Sequence, residues 1–276
     1  MDLYARVAYA NSKHLTLSYS SSFGISSRFF SKDIQPHIYA VYGLVRIADE
    51  IVDTYKGPDA AQLLDDFEQT TYRSIASGYS TNPIIHAFAL TARNYSIDKQ
   101  LIAPFFESMR MDIHPQDYSP KDYETYIYGS AEVVGLMCLR VFCGGNTTEY
   151  RKLEKGAAAL GSAYQKVNFL RDLAADYKEL GRLYFPGVTF DTFDEHAKQS
   201  IITDIKNDFT NAYESLRQLP SNSRLATMIS YVYYTDLLKK LERTPVAVIK
   251  TTRVRVPSSR KLLLIAKTLA DRGKST

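Results

Sequence analysis

The 276-residue chain contains no tryptophan and only two cysteines, Cys138 and Cys143. Both cysteines lie in one apolar stretch, without the Cys-x-x-Cys or Cys/His spacing that zinc sites and redox pairs require. No run of eighteen apolar residues is present, and the first residues lack the basic-then-apolar layout of a secretion signal. We therefore expect buried thiols, no zinc or thiol redox chemistry, and a cytoplasmic location.

Nucleotide-binding fingerprints are also missing. The sequence has no Gly-x-x-x-x-Gly-Lys-Ser/Thr loop and no Gly-x-Gly-x-x-Gly turn, so we expect neither a nucleotide-type phosphate site nor NADPH as a cofactor. The net charge is +4, but residues 250–274 carry eight basic side chains against one acidic residue, Asp271. No recognition motif for nucleic acid accompanies this charge, so the segment is either solvated or contacts phosphate or an anionic membrane surface.

Strand patterns are scarce. One segment, 246–256, alternates like a strand but has no partner, so we predict an extended connector there. Elsewhere apolar residues recur with helical spacing, and these patterns predict an all-α chain folded as one domain over residues 1–276. We expect helices near 3–18, 33–55, 59–77, 83–94, 98–112, 120–144, 147–180, 194–218, 222–243 and 257–272.

A stripe of polar residues runs along the predicted helix at residues 42–53. At about 100° per residue, Tyr42, Arg46, Asp49 and Asp53 fall within roughly 60° of arc. The other residues of this segment are apolar nearly all round, which is typical of an interior helix. The polar stripe is therefore expected to face a cavity.

A second stripe occurs in the segment 165–179. One Asp-x-x-x-Asp on a helix is usually a solvated face, but two such stripes on two apolar helices favour a polar site in the core. Like charges four residues apart repel, so a cation is expected between them. Within roughly 80° of arc the second segment places Gln165, Asn168, Asp172, Asp176 and Glu179.

The expected cation is a hard ion. Oxygen ligands without histidine or thiolate favour Mg²⁺ or Mn²⁺. Mg²⁺ usually bridges a few carboxylates to substrate phosphates instead of sitting in a cage made only of protein ligands. The two stripes therefore predict a diphosphate substrate between the helices.

Six segments together resemble the squalene/phytoene synthases, the head-to-head prenyl-coupling enzymes. The two acidic segments read "RIADEIVD" (46–53) and "QKVNFLRDLAADYKELGRLYFP" (165–186), and the others read "YSSSFGISSRFF", "YIYGSAEVVG", "YYTDLLKKLE" and "RVRV". The resemblance implies an isoprenoid-synthase-type helical bundle around a central apolar cavity, with the two Asp-rich helices facing each other. It also implies a magnesium-dependent prenyltransferase.

The resemblance implies roles for individual residues. The expected metal ligands are Asp49, Asp53, Asn168, Asp172 and Asp176, and the four aspartates also count as catalytic. A phosphate-contacting turn is expected at Ser20, Ser22 and Phe23, with Gln165 on the polar stripe. Cavity tyrosines and diphosphate-binding arginines are expected at Tyr42, Arg46, Tyr128, Arg171, Tyr184, Tyr234 and Arg253, of which Tyr42, Arg46 and Tyr128 are assigned to catalysis.

Several of these residues have simpler interpretations. Tyr128 or Tyr234 alone is compatible with an ordinary core or rim aromatic, and Arg171 points off the stripe and can pair with a neighbouring helix. Many family members have glutamate at the position of Ala175, and we hypothesise that Glu179 or Glu132 replaces it. The small residues Gly129, Ala131 and Gly135 serve either a polyprenyl tail or close helix packing.

The expected reaction joins two geranylgeranyl diphosphates to phytoene through a cyclopropyl (prephytoene) diphosphate, with release of diphosphate. The absence of a nicotinamide fingerprint favours this reaction, which ends by proton loss. The alternative reaction is the formation of squalene or dehydrosqualene from two farnesyl diphosphates. Two further alternatives for the protein are a class I terpene cyclase and a non-catalytic assembly protein of the same fold. We expect a monomer or weak dimer, with peripheral contact of the basic C-terminal segment on the inner membrane face.

Overall fold

The structure, a computed structural model, describes residues 1–113 and 118–272, without the side chains of Ser21, Ser22, Glu179, Leu180 and Arg272. It is all-α over these residues, as predicted, and contains no β-strand there. The helices are α1 (Leu3–Tyr19), α2 (Ser21–Ser26), α3 (Gln35–Asp49), α4 (Ala60–Ser77), α5 (Pro83–Tyr95), α6 (Lys99–Ile113), α7 (Pro120–Ile127), α8 (Val133–Phe142), α9 (Thr147–Ala175), α10 (Glu195–Gln218), α11 (Ser221–Arg243), α12 (Val246–Ile249) and α13 (Ser258–Arg272).

Short 3₁₀ or π-helical turns follow four of these helices. A 3₁₀ turn at Ser27–Phe29 follows α2, and π-helical turns at Glu50–Thr54, Tyr128–Glu132 and Asp176–Leu180 follow α3, α7 and α9. The Asn146 side chain caps the start of α9, and Gly181 ends the last π turn with φ +66°. A left-handed residue at this position favours glycine, so the sequence fixes both ends of the longest helix.

Among the described residues, two large groups of buried side chains form most of the core, and a small third group joins α1, α3 and α5. One includes Phe88, Phe105 and Met137 and involves α3 to α6, α8 and the start of α9, and the other includes Phe169 and Leu237 and involves the end of α9, α10 and α11. Burying each of these side chains stabilises the fold by about 1.5–3 kcal/mol. Helix α9 contributes to both groups, and its polar residues lie in the part that packs in the second group.

The backbones of α8 and α9 approach closely where glycines meet. A Cβ added at Gly161 would lie 2.6 Å from the Ala131 carbonyl oxygen, and one at Gly135 would lie 2.9 Å from the Ala157 carbonyl oxygen. At Gly129 the added atom would lie 2.3 Å from a carbonyl oxygen of α6. These glycines therefore serve close packing, while Ala131 and Gly135 also line a cavity, and their contact with a polyprenyl tail stays a prediction.

The segment 246–256 differs from the prediction of an extended connector. Val246–Ile249 forms the short helix α12, residues 250–252 form a turn and a bend, and residues 253–257 have no regular secondary structure. The Val246 N–H donates to the Glu195 carboxylate at 2.8 Å, so a contact from α10 stabilises the turn, which sequence alternation does not reveal. Within the described part of the chain, no helix combines the length and apolar character needed to cross a membrane.

Candidate active site

A cavity of about 1060 Å³ lies between the two core groups. Its walls come from α2, α3, α8, α9, α10 and α11, and the segment 253–258 with the start of α13 borders it. Ligand pockets commonly measure about 300–1,000 Å³. This cavity is at the upper end of that range and has room for large substrates.

Helix α9 forms one whole wall of the cavity. Asp172 lies 19 residues after Leu153, which corresponds to about 28 Å at about 1.5 Å per residue. The polar residues occupy the C-terminal part of this wall and the apolar ones the N-terminal part, so the cavity has a charged end and a long apolar end. The lining residues of α9 recur at helical spacing, namely Leu153, Gly156, Ala157, Leu160, Gly161, Tyr164, Gln165, Asn168, Phe169, Arg171 and Asp172.

The four predicted aspartates line the charged end together. Burial raises the pKa of Asp176 to about 7, and repulsion from Asp172 and Asp53 contributes to the shift. Burial likewise raises the pKa of Asp49 to about 6, with a further contribution from Asp53. Asp53 follows α3 and Asp176 follows α9, so the acidic ends of two separate helices lie close enough to repel, and the predicted facing arrangement is present.

Arginines compensate three of the four carboxylates. Arg46 Nη1 lies 2.6 Å from Asp49 Oδ2, and Arg253 Nε lies 2.6 Å from Asp172 Oδ1. Arg171 also pairs with Asp172, its neighbour in sequence, instead of reaching another helix. Arg46, Arg171 and Arg253 all line the cavity, so they can pass from carboxylates to an incoming diphosphate.

Asp53 is compensated by a residue that sequence reasoning did not select. Arg182 is almost fully buried and its Nη1 lies 2.6 Å from Asp53 Oδ1 and 3.3 Å from Asp112 Oδ1. Asp112, at the end of α6, is also buried, and burial raises its pKa to about 7. The Gly-Arg-x-Tyr sequence at 181–184 was a signal for Arg182, whereas Asp112 is a single acidic residue in an apolar helix and gave none.

The donor set fits divalent cations that substrate phosphates would complete. Asp176 has no ion pair among the described side chains, and Asn168 contributes an amide oxygen that accepts from the Tyr234 hydroxyl at 3.3 Å. No described cluster of three or more acidic, histidine or cysteine residues is tight enough to hold a metal ion alone. This arrangement agrees with Mg²⁺, which usually bridges few carboxylates to phosphates.

Most of the other predicted residues also border the cavity. Tyr42 stacks on Phe23 at 5.4 Å between ring centroids, and Tyr234 stacks on Tyr164 at 4.1 Å. The hydroxyl of Ser20 accepts the Phe23 N–H at 3.2 Å and thereby caps α2. Tyr42, Phe23, Ser20, Tyr184, Tyr234 and Gln165 all line the cavity. The predicted role of Ser22 and the hypothesis about Glu179 concern side chains outside the described residues.

The structure places Tyr128 outside the cavity lining. Its side chain is 41% exposed and it is not among the cavity-lining residues, whereas Tyr126 is buried and lines the cavity. Tyr126 is in α7 and Tyr128 begins the π turn that follows it, and two residues correspond to about 200° of helix rotation, so the two side chains point to nearly opposite sides. The structure therefore places Tyr126, and not Tyr128, in the cavity wall, and the catalytic role of Tyr128 stays a prediction.

The structure also places Glu132 away from the four cavity aspartates. Burial raises its pKa, and the neighbouring charges that affect it are Asp208 and Lys166. Lys166 binds Asp204 and Asp208 of α10, so Glu132 lies on the α10 side of α9 and not among the cavity aspartates. It does not replace the carboxylate missing at Ala175.

The helical fold and the charged cavity are typical of enzymes that act on diphosphates with the help of divalent cations. The family model "Squalene/phytoene synthase" matches residues 17–260. The chain belongs to the squalene/phytoene synthase family and is a prenyltransferase, a member of a family that couples prenyl diphosphates head to head.

Relatives in sequence and structure agree with this assignment. A 15-cis-phytoene synthase from Synechococcus elongatus is 28% identical over an alignment of 284 residues, gaps included. The alignment covers 92% of this chain and 90% of the relative. A dehydrosqualene synthase structure matches 98% of both chains with a TM-score of 0.80 and 20% identity. A squalene synthase from Alicyclobacillus acidocaldarius matches 88% of this chain and 96% of its own, with a TM-score of 0.77 and 22% identity. These structures confirm the predicted helical fold.

The raised pKa of Asp176 predicts a pH-dependent stability. The carboxyl titrates near 3.8 when unfolded and near 7 when folded, so its stabilising contribution is present below pH 4 and lost as the pH rises through 7. In EDTA, Asp176→Asn should therefore gain stability relative to the wild type between pH 5 and pH 8, with about 1.4 kcal/mol for each unit of pKa difference. Denaturant unfolding across this range measures it.

The exposed Asp66→Asn on α4 serves as the control and should follow the wild type at every pH. Addition of Mg²⁺ with pyrophosphate should stabilise the wild type most at pH 8. Parallel pH profiles for the wild type and Asp176→Asn would contradict the assignment.

Proposed function

We propose that the protein couples two geranylgeranyl diphosphates head to head and forms phytoene through a cyclopropyl (prephytoene) diphosphate, with release of diphosphate. The 28% identity to a 15-cis-phytoene synthase over nearly the whole chain supports this choice. The structural observation that carries it is the length of the apolar wall of α9.

The apolar part of this wall matches a twenty-carbon substrate. Gln165 is the first residue of the polar stripe, and Leu153 lies 12 residues before it. This separation corresponds to about 18 Å along the helix. With carbon–carbon bonds of about 1.5 Å that each advance about 1.25 Å, an extended geranylgeranyl tail spans about 19 Å and a farnesyl tail about 14 Å. A farnesyl tail would leave the far part of the cavity unfilled.

Aromatic and apolar residues close the far end. Phe30 and Phe142 stack at 5.3 Å between ring centroids, and Leu216 and Leu219 lie beside them in the cavity lining. Such a wall excludes water from a reactive allylic cation until the second prenyl chain attacks it. The faces of Tyr42 and Tyr234 can stabilise the positive charge by about 0.5–2 kcal/mol each.

Mg²⁺, or Mn²⁺, would be held by Asp49, Asp53, Asp172 and Asp176 with the amide oxygen of Asn168. When bound, such an ion polarises the diphosphate oxygens and neutralises the charge that develops as the carbon–oxygen bond breaks. Arg46, Arg171 and Arg253 provide further positive charge at the same end of the cavity and orient the leaving group. Proton loss ends the reaction, so it requires no reductant.

Product analysis tests this function. With Mg²⁺ and geranylgeranyl diphosphate the protein should form phytoene, and Asp49→Asn or Asp172→Asn should reduce the rate at least about 100-fold because cation charge is lost. The surface variant Asp66→Asn should keep wild-type activity. A product formed only from farnesyl diphosphate would select the squalene or dehydrosqualene alternative, and a cyclic product from one substrate would select a terpene cyclase.

A single substitution in the apolar wall tests the chain length separately. Ala157 lines the cavity near its far end, so Ala157→Phe should shorten the space available to the tail. We expect coupling of geranylgeranyl diphosphate to fall at least about tenfold, while coupling of farnesyl diphosphate is retained or increased, and Ala157→Leu should be intermediate. Equal losses with both substrates would indicate a damaged fold and contradict the length argument.

We also propose that the protein is cytoplasmic and contacts the inner membrane face through α13. Leu262 and Leu263 are 64% and 57% exposed, and Leu269 is exposed as well, whereas Leu264 and Thr268 face the protein body and are buried. The outward leucines therefore lie opposite the packed face of the helix, within a segment rich in basic residues. Lys261, next to Leu262, lines the cavity, so an oily product would leave the cavity beside this surface.

Vesicle binding checks the membrane contact. The full chain should co-sediment with vesicles that contain phosphatidylglycerol, and Leu262→Asp/Leu263→Asp should reduce the bound fraction at least about tenfold by removing apolar area and adding negative charge. Leu63→Asp, at an exposed leucine of α4, is the matched control. Unchanged binding would contradict the proposal, and so would a wild-type dimer that this variant dissociates, since the leucines would then cover a second copy.

A further inference from the structure

We propose that Asp112 is a positioning residue that accepts Arg182 when a divalent cation takes Asp53. This inference rests on the proposed function, because it concerns how the chain makes one of its carboxylates available to the cation. It gives a role to the carboxylate of Asp112, which is buried and does not line the cavity.

Arg182 stands between two carboxylates. Its Nη1 donates to Asp53 Oδ1 at 2.6 Å and lies 3.3 Å from Asp112 Oδ1. Its Nη2 donates to the backbone carbonyl oxygen of Asp112 at 2.5 Å. The guanidinium is therefore fixed to the end of α6 by a contact that does not depend on Asp53.

Asp112 is prepared to receive a second contact. The Tyr126 hydroxyl donates to Asp112 Oδ2 at 2.7 Å, whereas Oδ1 is buried and has no hydrogen-bond partner. A buried carboxylate oxygen without a partner is unfavourable. Shortening the contact from Arg182 Nη1 by less than 1 Å would satisfy it.

Access from the cavity separates the two carboxylates. The Asp53 side chain is 30% exposed and borders the cavity, whereas that of Asp112 is 3% exposed and is not part of the lining. A cation that enters with a diphosphate can therefore reach Asp53 and not Asp112. Once a divalent cation is bound there, it repels the guanidinium, and the nearest carboxylate on the far side is that of Asp112.

Without Asp112, Arg182 would have no second carboxylate and would stay on Asp53. In the absence of the cation, Arg182 compensates the charge of Asp53. When the cation arrives, the exchange to Asp112 breaks this ion pair at little cost in free energy. Asp112 then acts on cation binding only through Arg182, and this dependence on Arg182 distinguishes positioning from a general contribution to stability.

A double-mutant cycle on cation binding tests the exchange. Mn²⁺ binding to the full chain is measured by its paramagnetic signal in the presence of inorganic pyrophosphate. Asp112→Asn keeps an acceptor for Tyr126 and removes the charge, so we expect Mn²⁺ affinity to fall at least about tenfold. In the Arg182→Gln background, Asp112→Asn should change the affinity less than about twofold, because no guanidinium remains to be moved.

Controls separate this inference from a structural effect and from the proposed function. Asp65→Asn on α4 removes another aspartate–arginine pair, that with Arg110 of α6, and should leave Mn²⁺ affinity unchanged. An equal loss of affinity in both Arg182 backgrounds, or unchanged affinity in Asp112→Asn, would overturn the inference alone. A wild type that binds no Mn²⁺ with pyrophosphate would overturn the proposed function together with it.

Discussion

The structure depends on compensating negative charge inside an apolar protein. Carboxylates are costly to bury unless a cation or hydrogen-bond donors accompany them, and this chain brings four aspartates to one end of its cavity. Arginines from three different parts of the chain compensate Asp49, Asp53 and Asp172, whereas Asp176 has no ion pair among the described side chains. The charged end is therefore largely compensated without a metal ion.

The long helix α9 links this charge to the apolar end. It carries the second acidic stripe at one end and small or apolar residues at the other, and it spans both core groups. A single straight helix fixes the distance from the charged site to the far wall at about 1.5 Å per residue. In the proposed function, reaction chemistry and substrate length thus depend on different turns of the same element.

Several features were predictable because they follow from local spacing. The helical class, the ends of α9 at Asn146 and Gly181, and the two acidic stripes arise from periodicity and from residues next to each other in the chain. Tyr128 was misplaced because a resemblance in sequence does not give the rotation of a helix that contains a π turn. Glu132 was misplaced because its neighbours, Lys166 and Asp208, come from α9 and α10.

By itself the sequence determined which residues share a helix face, because a residue's angle around a helix depends only on its position in the chain. It therefore determined the polar stripes and the helical class, and it led to the prediction of a divalent cation with a diphosphate. Only the tertiary structure decided that Arg182 joins Asp53 to Asp112, that Tyr126 enters the cavity, and how far the apolar wall extends. Those facts depend on contacts between residues as many as 129 positions apart, which no local pattern encodes.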